Sequence, residues 1–147
     1  MQRIIPPFFV FACILLMLAL NAWLPLADLL AGEGRGSGVV IMVAGLATIV
    51  TVGLQLLHFR TEIHTFRRPR RLLRGGLFRI SRNPIYLGFL MGLIGAWVFL
   101  GTLSPVVGPL LFFVAANYWY IPFEENMLQR EFGAEYAAYR QRVRRWI

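Results

Sequence analysis

Apolar residues gather in four long blocks along this chain, separated by polar segments. A bilayer core about 30 Å thick needs about 20 apolar residues per crossing helix, and each block approaches that length. The pattern predicts spans at 7–26, 39–58, 84–100 and 105–123. Between the first two lies a polar loop, 27–38, with Asp28, Glu33, Arg35 and four glycines. The longest polar stretch, 59–83, precedes span three, and Gly101-Thr102-Leu103-Ser104 separates spans three and four. So short a turn makes those two spans an antiparallel hairpin. In the polar tail, 124–147, Leu128, Phe132, Tyr136, Tyr139, Val143 and Trp146 recur at steps of four or three. They form one helix face. With arginines opposite, the tail reads as a helix lying on the membrane or folded back over the bundle, and Gly133 is a place for it to break or bend. The expected fold is all-α: a polytopic membrane bundle of about four transmembrane helices plus a C-terminal amphipathic helix, in one domain spanning 1–147.

Composition agrees with this. The chain is 58% hydrophobic and 15% charged, whereas soluble domains carry roughly a quarter charged residues. The first block follows Arg3 and no small-x-small cleavage pattern follows it, so it is expected to be a retained span. Cys13, the only cysteine, lies in that block. It excludes an intrachain disulfide and suits a small packing residue.

The net charge of +8 comes entirely from arginine. Arg60, Arg67, Arg68, Arg70, Arg71, Arg74, Arg79 and Arg82 lie in the loop after span two. Arg130, Arg140, Arg142, Arg144 and Arg145 lie in the tail, and Arg3 precedes span one. With four crossings these all fall on one side, and Arg35 alone falls opposite. The positive-inside rule then puts both termini in the cytoplasm, as expected for a bacterial inner membrane. Arginines that flank apolar spans are topology signals, so nucleic acid is not an expected partner; the lipid bilayer is.

Two constellations carry candidate chemistry. The first is Arg82-Asn83-Pro84-Ile85-Tyr86-Leu87-Gly88, at the entrance of span three. Asn suits a helix cap and Pro the first helical position, so a plain helix start accounts for much of it. A helix N-terminus also offers free N–H groups and partial positive charge to an anion. Arg82 adds a planar guanidinium suited to carboxylate or phosphate, and Gly88 lets a ligand approach the backbone. The second is Glu124-Glu125, where span four leaves the membrane. Acids at a helix C-terminus oppose the macrodipole, so arginines or a cationic ligand must offset them. The hairpin puts both constellations on one membrane face. A ligand with both charges suits them, and the amino-acid end of S-adenosylmethionine is one.

The segment from Gly76 to Gly88, followed by Glu124-Glu125-x-x-Leu128-x-x-x-Phe132-Gly133-x-x-Tyr136-x-x-Tyr139-x-x-Arg142-Val143, resembles the isoprenylcysteine carboxyl methyltransferases and the related phospholipid methyltransferases. The resemblance covers about Thr61 to the C-terminus. It implies an S-adenosyl-L-methionine pocket built from the last two spans and the tail. Arg82, Asn83, Tyr86 and Gly88 would line it, Glu124 and Glu125 would bind the cofactor, and the loop of Leu73, Gly76 and Phe78 would contact it through backbone. Tyr136, Tyr139 and Arg142 would close it, and Arg142 and Glu125 are the implied catalytic residues. The acceptor would be a lipophilic small molecule or lipidated substrate, methylated on a carboxylate oxygen or an amine. Asn83 stands where the eukaryotic carboxyl methyltransferases commonly have His, and the predicted spans are fewer than theirs.

A carboxylate acceptor needs no general base. An amine must lose a proton, and Glu124, Glu125 and Glu62 are the acids that would take it. Sterol reductases, which use a similar Arg-x-Pro-x-Tyr-x-Gly signature for a nicotinamide cofactor, give a second reading. A non-catalytic membrane protein whose arginine face binds anionic lipid or a partner gives a third. No metal site is expected: His58 and His64, six apart, suit an interfacial role better than ligation.

Overall fold

The first apolar block forms α1, Pro6–Trp23, in the computed structural model, which describes residues 5–29, 34–59 and 71–147. Proline suits its first turn because no N–H is needed there. The helix stops short of the predicted Leu26 because Leu24 precedes Pro25 and is pushed out of the helical region, to φ −141° and ψ 58°. The second block forms α2, Arg35–His58, which starts before the apolar run and takes in Gly36, Ser37 and Gly38. The Ser37 hydroxyl donates to the Gly34 carbonyl at 2.7 Å, supporting that extra turn. Of the residues weighed above, Arg3, Glu33, Arg60, Thr61, Glu62, His64, Arg67, Arg68 and Arg70 lie outside the described segments.

The third block is α3, Pro84–Leu100, closed by Gly101 in the left-handed conformation (φ 76°). The chain then reverses and runs helically from Ser104 to Arg142. A short 3-10 turn (Ser104–Val106) leads into α4 (Val107–Ala115), a π turn (Ala116–Tyr120) and α5 (Ile121–Arg142). The tail helix is therefore continuous with the fourth apolar block. No helix-stopping residue follows Pro122 until Gly133, whose non-helical φ of 48° and ψ of −119° divide α5 into two helical stretches across a kink.

Pro6–Trp23, Arg35–His58 and the Ser104–Arg142 run are, among the described residues, long and apolar enough to cross a membrane; α3 is apolar but shorter, at 17 residues. Apart from one isolated bridge, between Asp28 and Thr102, no β pairing occurs among the described residues. The protein is a helical integral membrane bundle.

Helices α2 and α3 touch backbone to backbone. A Cβ on Gly95 would meet the Gly38 carbonyl and the Met42 nitrogen at 2.6 Å, and one on Gly45 would meet the Gly88 carbonyl at 2.7 Å. Small residues on a shared seam let helices approach closely in lipid. A second contact packs Cys13 and Met17 of α1 with Tyr86 and Leu93 of α3 and with Phe112, Ala116 and Tyr120. At the end away from the arginines, the Leu29 N–H donates to the Gly101 carbonyl (2.8 Å) and the Leu103 N–H to the Ala27 carbonyl (2.9 Å). These bonds clasp the segment after α1 to the turn after α3.

Candidate functional site

At the arginine-rich end, the start of α3 meets the start of α5. Glu124 ends the first turn of α5 and Glu125 follows it, so their side chains leave the helix on different sides. The Tyr86 hydroxyl donates to Glu124 Oε1 at 2.9 Å. The Tyr86 ring is held by Phe112 and Tyr120, with centroids 6.4 and 6.2 Å away. Glu125 is buried, and Arg82 Nη2 reaches its Oε1 at 2.9 Å. Topology had placed the two constellations on one membrane face; the fold brings them into contact.

A second guanidinium shares Glu125. Arg145 donates from Nη2 to Oε2 at 2.6 Å and from Nε to Oε1 at 3.3 Å. Its Nη1 reaches both oxygens of Asn117, the side-chain oxygen at 3.2 Å and the carbonyl at 3.4 Å. The π turn makes this possible. The Ile121 N–H bonds back five residues to the Ala116 carbonyl, which leaves the Asn117 carbonyl without its usual α-helical donor. Pro122, which has no N–H to give, follows immediately.

Beyond Arg142 the chain becomes extended, Val143 having φ −122° and ψ 131°. This strap lies across the entrance of α3. The Arg82 N–H donates to the Arg144 carbonyl at 3.0 Å. Asn83 Nδ2 (3.1 Å) and the Ser81 hydroxyl (3.2 Å) donate to the Arg145 carbonyl. Trp146 stacks on Phe113, with centroids 5.2 Å apart, and donates from Nε1 to Asn117 Oδ1 at 3.3 Å. Asn83 therefore does not cap α3 with its side chain. That amide is drawn to the strap, and the Ser81 hydroxyl accepts the Asn83 N–H instead, at 3.1 Å.

The bend at Gly133 returns the end of α5 toward the loop before α3. The Tyr139 hydroxyl donates to the Phe78 carbonyl at 2.7 Å. Gly76, at φ 59°, is pinned from α2: its missing Cβ would fall 2.6 Å from Gln55 Oε1, and Gln55 Nε2 donates to the Gly75 carbonyl at 2.8 Å. Arg74 meets Glu135 at 3.0 Å, an exposed pair that adds little. Leu73 and Phe78 are half-buried beside this loop. Burial raises both phenols, Tyr139 strongly with Tyr136 adding, and Tyr136 to about 12 with Glu125 adding. Nearby guanidinium groups oppose the shift in both.

Two expected site residues sit elsewhere. Gly88 turns its bare face to α2, where a Cβ would meet Ile49 at 2.6 Å and the Gly45 carbonyl at 2.9 Å, so helix packing requires that glycine and no ligand approaches over that face. Arg142 is exposed on the last turn of α5, and the guanidinium on Glu125 comes from Arg145. Arg145, Asn117, Ser81 and Trp146 were not anticipated. An apolar hollow lined by Leu29, Trp97, Val98 and Gly101 lies at the opposite end and holds none of this chemistry.

The phospholipid methyltransferase family profile matches residues 35–135, which includes the α2–α3 seam, the α3 entrance and both glutamates. The chain belongs to the phospholipid methyltransferase family. Within this family it is 34% identical over 113 residues to a probable protein-S-isoprenylcysteine O-methyltransferase of Oryza sativa subsp. indica, covering 72% of this chain and 56% of that protein. It is 33% identical over 100 residues to protein-S-isoprenylcysteine O-methyltransferase B of Arabidopsis thaliana, 65% of this chain and 47% of that one. It is 42% identical over 89 residues to methanethiol S-methyltransferase 2 of Bradyrhizobium diazoefficiens, 56% of this chain and 29% of that one. The chain spans about half the length of the plant relatives it matches. No solved structure matches it.

Proposed function

We propose that this chain is an integral membrane methyltransferase of one domain, which takes a methyl group from S-adenosyl-L-methionine and gives it to a lipophilic acceptor at the cytoplasmic face. The observation that carries this reading is the buried junction of α3 and α5. There Arg82 meets Glu125 and Tyr86 meets Glu124 inside the stretch matched by the family.

The residues present fit the cofactor. Its amino-acid end carries an ammonium, a carboxylate and a sulfonium. The junction offers the Glu124 carboxylate to the cations, Glu125 being held by Arg82 and Arg145. To the anion it offers Arg82 Nε, Arg82 Nη1 and the Tyr136 hydroxyl, which are buried and unpartnered. Arg82, Asn83, Tyr86, Glu124, Glu125, Tyr136 and Tyr139 would hold it, with backbone from Leu73, Gly76 and Phe78. When bound, the cofactor supplies a methyl group on a positively charged sulfur, open to in-line attack.

The chain's own residues align the partners and keep water out. Tyr136, Tyr139 and Trp146 cover the junction with aromatic surface. Tyr86, locked between two rings, fixes the Glu124 carboxylate. Glu125 is held by two guanidinium groups and acts as an anchor. We assign Glu124, which accepts the Tyr86 hydroxyl, the proton of an acceptor that must lose one. A carboxylate acceptor needs no such step. The relatives' names point to an isoprenylcysteine in one branch and methanethiol in another, and the acceptor class we assign is a lipophilic molecule reaching the site from the bilayer.

Calorimetric titration of the purified protein with S-adenosylmethionine, S-adenosylhomocysteine and NADPH tests the reading. The expected result is binding of the first two and none of NADPH. NADPH binding without S-adenosylhomocysteine binding would replace it with a reductase. Binding of none would leave a non-catalytic membrane protein.

A further inference from the structure

Arg82 uses one nitrogen, Nη2, on Glu125, although its side chain is only 8% exposed. Its Nε and Nη1 are buried without a hydrogen-bond partner, and so is the hydroxyl of Tyr136, a residue 1% exposed. Buried polar groups nearly always have partners, and leaving one unmade costs more than forming it gains. Three such atoms in one polar cluster point to a ligand. A guanidinium has no acceptor capacity, so what satisfies Arg82 must present acceptors. Glu125 offsets one of the two guanidinium charges that touch it, Arg82 and Arg145. An anionic hydrogen-bond acceptor suits the charge left over, and a planar carboxylate suits the planar guanidinium.

The Tyr136 ring packs beside Tyr139, whose hydroxyl is bonded to the loop just before Arg82, and the charges of Glu125 and Arg82 act on its phenol. Pushed up to about 12, chiefly by burial, it stays protonated near neutral pH and can donate. Its neighbour Tyr139, 6.2 Å away between ring centroids, is fixed by the Phe78 carbonyl. That bond holds the aromatic pair against the α3 entrance.

We propose that Arg82 and Tyr136 form a buried oxyanion site that takes a ligand carboxylate while the Arg82–Glu125 pair stays intact. The pair positions the guanidinium; Nε and Nη1 flank the occupied Nη2 on separate edges, so a carboxylate takes one of these two N–H groups together with the phenol hydroxyl. This deepens the methyltransferase reading and rests on it for one source of the carboxylate, the amino-acid end of the cofactor. The other source is a carboxylate on the acceptor.

The test is calorimetric titration of the detergent-purified protein, native and as Tyr136→Phe and Arg82→Lys, with three probes. S-adenosylhomocysteine carries the amino-acid carboxylate. 5′-Methylthioadenosine is the same nucleoside thioether without it. N-acetyl-S-hexylcysteine, paired with its methyl ester, represents an acceptor acid. A lost hydrogen bond to a charged group corresponds to about tenfold or more in affinity. If the cofactor supplies the carboxylate, Tyr136→Phe weakens S-adenosylhomocysteine by that factor and leaves methylthioadenosine unmoved. If the acceptor supplies it, the variant weakens the acid against its ester and leaves S-adenosylhomocysteine unmoved. Arg82→Lys, which keeps the charge and loses Nε, gives the same pattern and serves should Tyr136→Phe fail to fold. Carboxylate affinities unchanged in both variants would overturn the site, and the methyltransferase reading would stand if S-adenosylhomocysteine still binds. A native protein that binds the acid through Tyr136 but no S-adenosylhomocysteine would keep the site and remove that reading. Binding of neither probe would remove both.

Discussion

Removing the carboxylate of Glu125 and removing one of its arginines are unequal changes. Glu125→Gln leaves two guanidinium groups, Arg82 and Arg145, without their shared counter-charge, one of them 8% exposed. Breaking a buried pair by deleting one partner costs about 3–5 kcal/mol, and here both cations are stranded. Arg145→Gln leaves the Arg82–Glu125 pair in place and removes a partner that is 29% exposed, so solvent screening reduces its cost. Thermal unfolding in detergent should therefore rank Glu125→Gln as the more destabilising. The double variant should cost less than the two singles added, because the residues share one network. Equal single effects with full additivity would contradict the shared-carboxylate geometry. The sequence made part of this cluster legible. Chain order and the tight turn at Gly101–Ser104 put the Arg82–Gly88 segment and Glu124-Glu125 on one membrane face, without telling which arginine meets which acid. Arg145 could not be distinguished from Arg142 and Arg144. The choice depends on α5 ending at Arg142 and the chain turning extended at Val143, and a three-residue shift there changes which guanidinium reaches the carboxylate.

At the scale of elements, the α2–α3 seam supports the site from behind. α2 carries Gln55, which pins the Gly75–Gly76 turn, and α3 carries Tyr86 on the face away from its seam glycines. A Cβ on Gly95 would lie 2.6 Å from backbone atoms of α2, so Gly95→Ala must push the helices apart. Overpacking of this kind costs about 1–3 kcal/mol. Gly53 lies on the same helix α2 with nothing near its missing Cβ. Gly53→Ala should be neutral or stabilising by up to about 1 kcal/mol, from helix propensity alone. The melting temperature should fall for the first and hold or rise for the second, and S-adenosylhomocysteine affinity should fall only for Gly95→Ala. An unchanged melting temperature for Gly95→Ala would mean that the seam is not where the helices meet. Helical blocks of this length are readable from apolar runs, but the seam is not, because glycines also occur at Gly36 and Gly53, where nothing approaches. The π turn at Ala116–Tyr120 is equally hidden. It arises from one displaced hydrogen bond, and its consequence, a free Asn117 carbonyl facing Arg145, leaves no mark on the pattern of apolar residues.

For the whole molecule, the question is which end faces the cytoplasm. Arg71, Arg74, Arg79, Arg140, Arg142 and Arg144 are exposed at the site end, and the clasp of Leu29 with Gly101 and Leu103 with Ala27 marks the other. Arginine excess near span ends sets orientation, so the site end should be cytoplasmic. α3 has 17 residues, about 25 Å at 1.5 Å per residue. That length is near the lower limit for crossing, and its crossing needs a direct test. In a Cys13→Ala background, single cysteines at Arg79, Leu103 and Ile147 bracket both α3 and the α4–α5 run, and all three positions are exposed. A membrane-impermeant maleimide applied to intact spheroplasts should label Leu103→Cys at once. It should label Arg79→Cys and Ile147→Cys only after permeabilisation. The reverse pattern would invert the orientation. Labelling of Arg79→Cys and Leu103→Cys together from outside would mean that α3 does not cross. The Arg82–Tyr86 entrance would then no longer face the compartment where a water-soluble sulfonium cofactor is available, and the methyltransferase reading would lose its source of methyl groups.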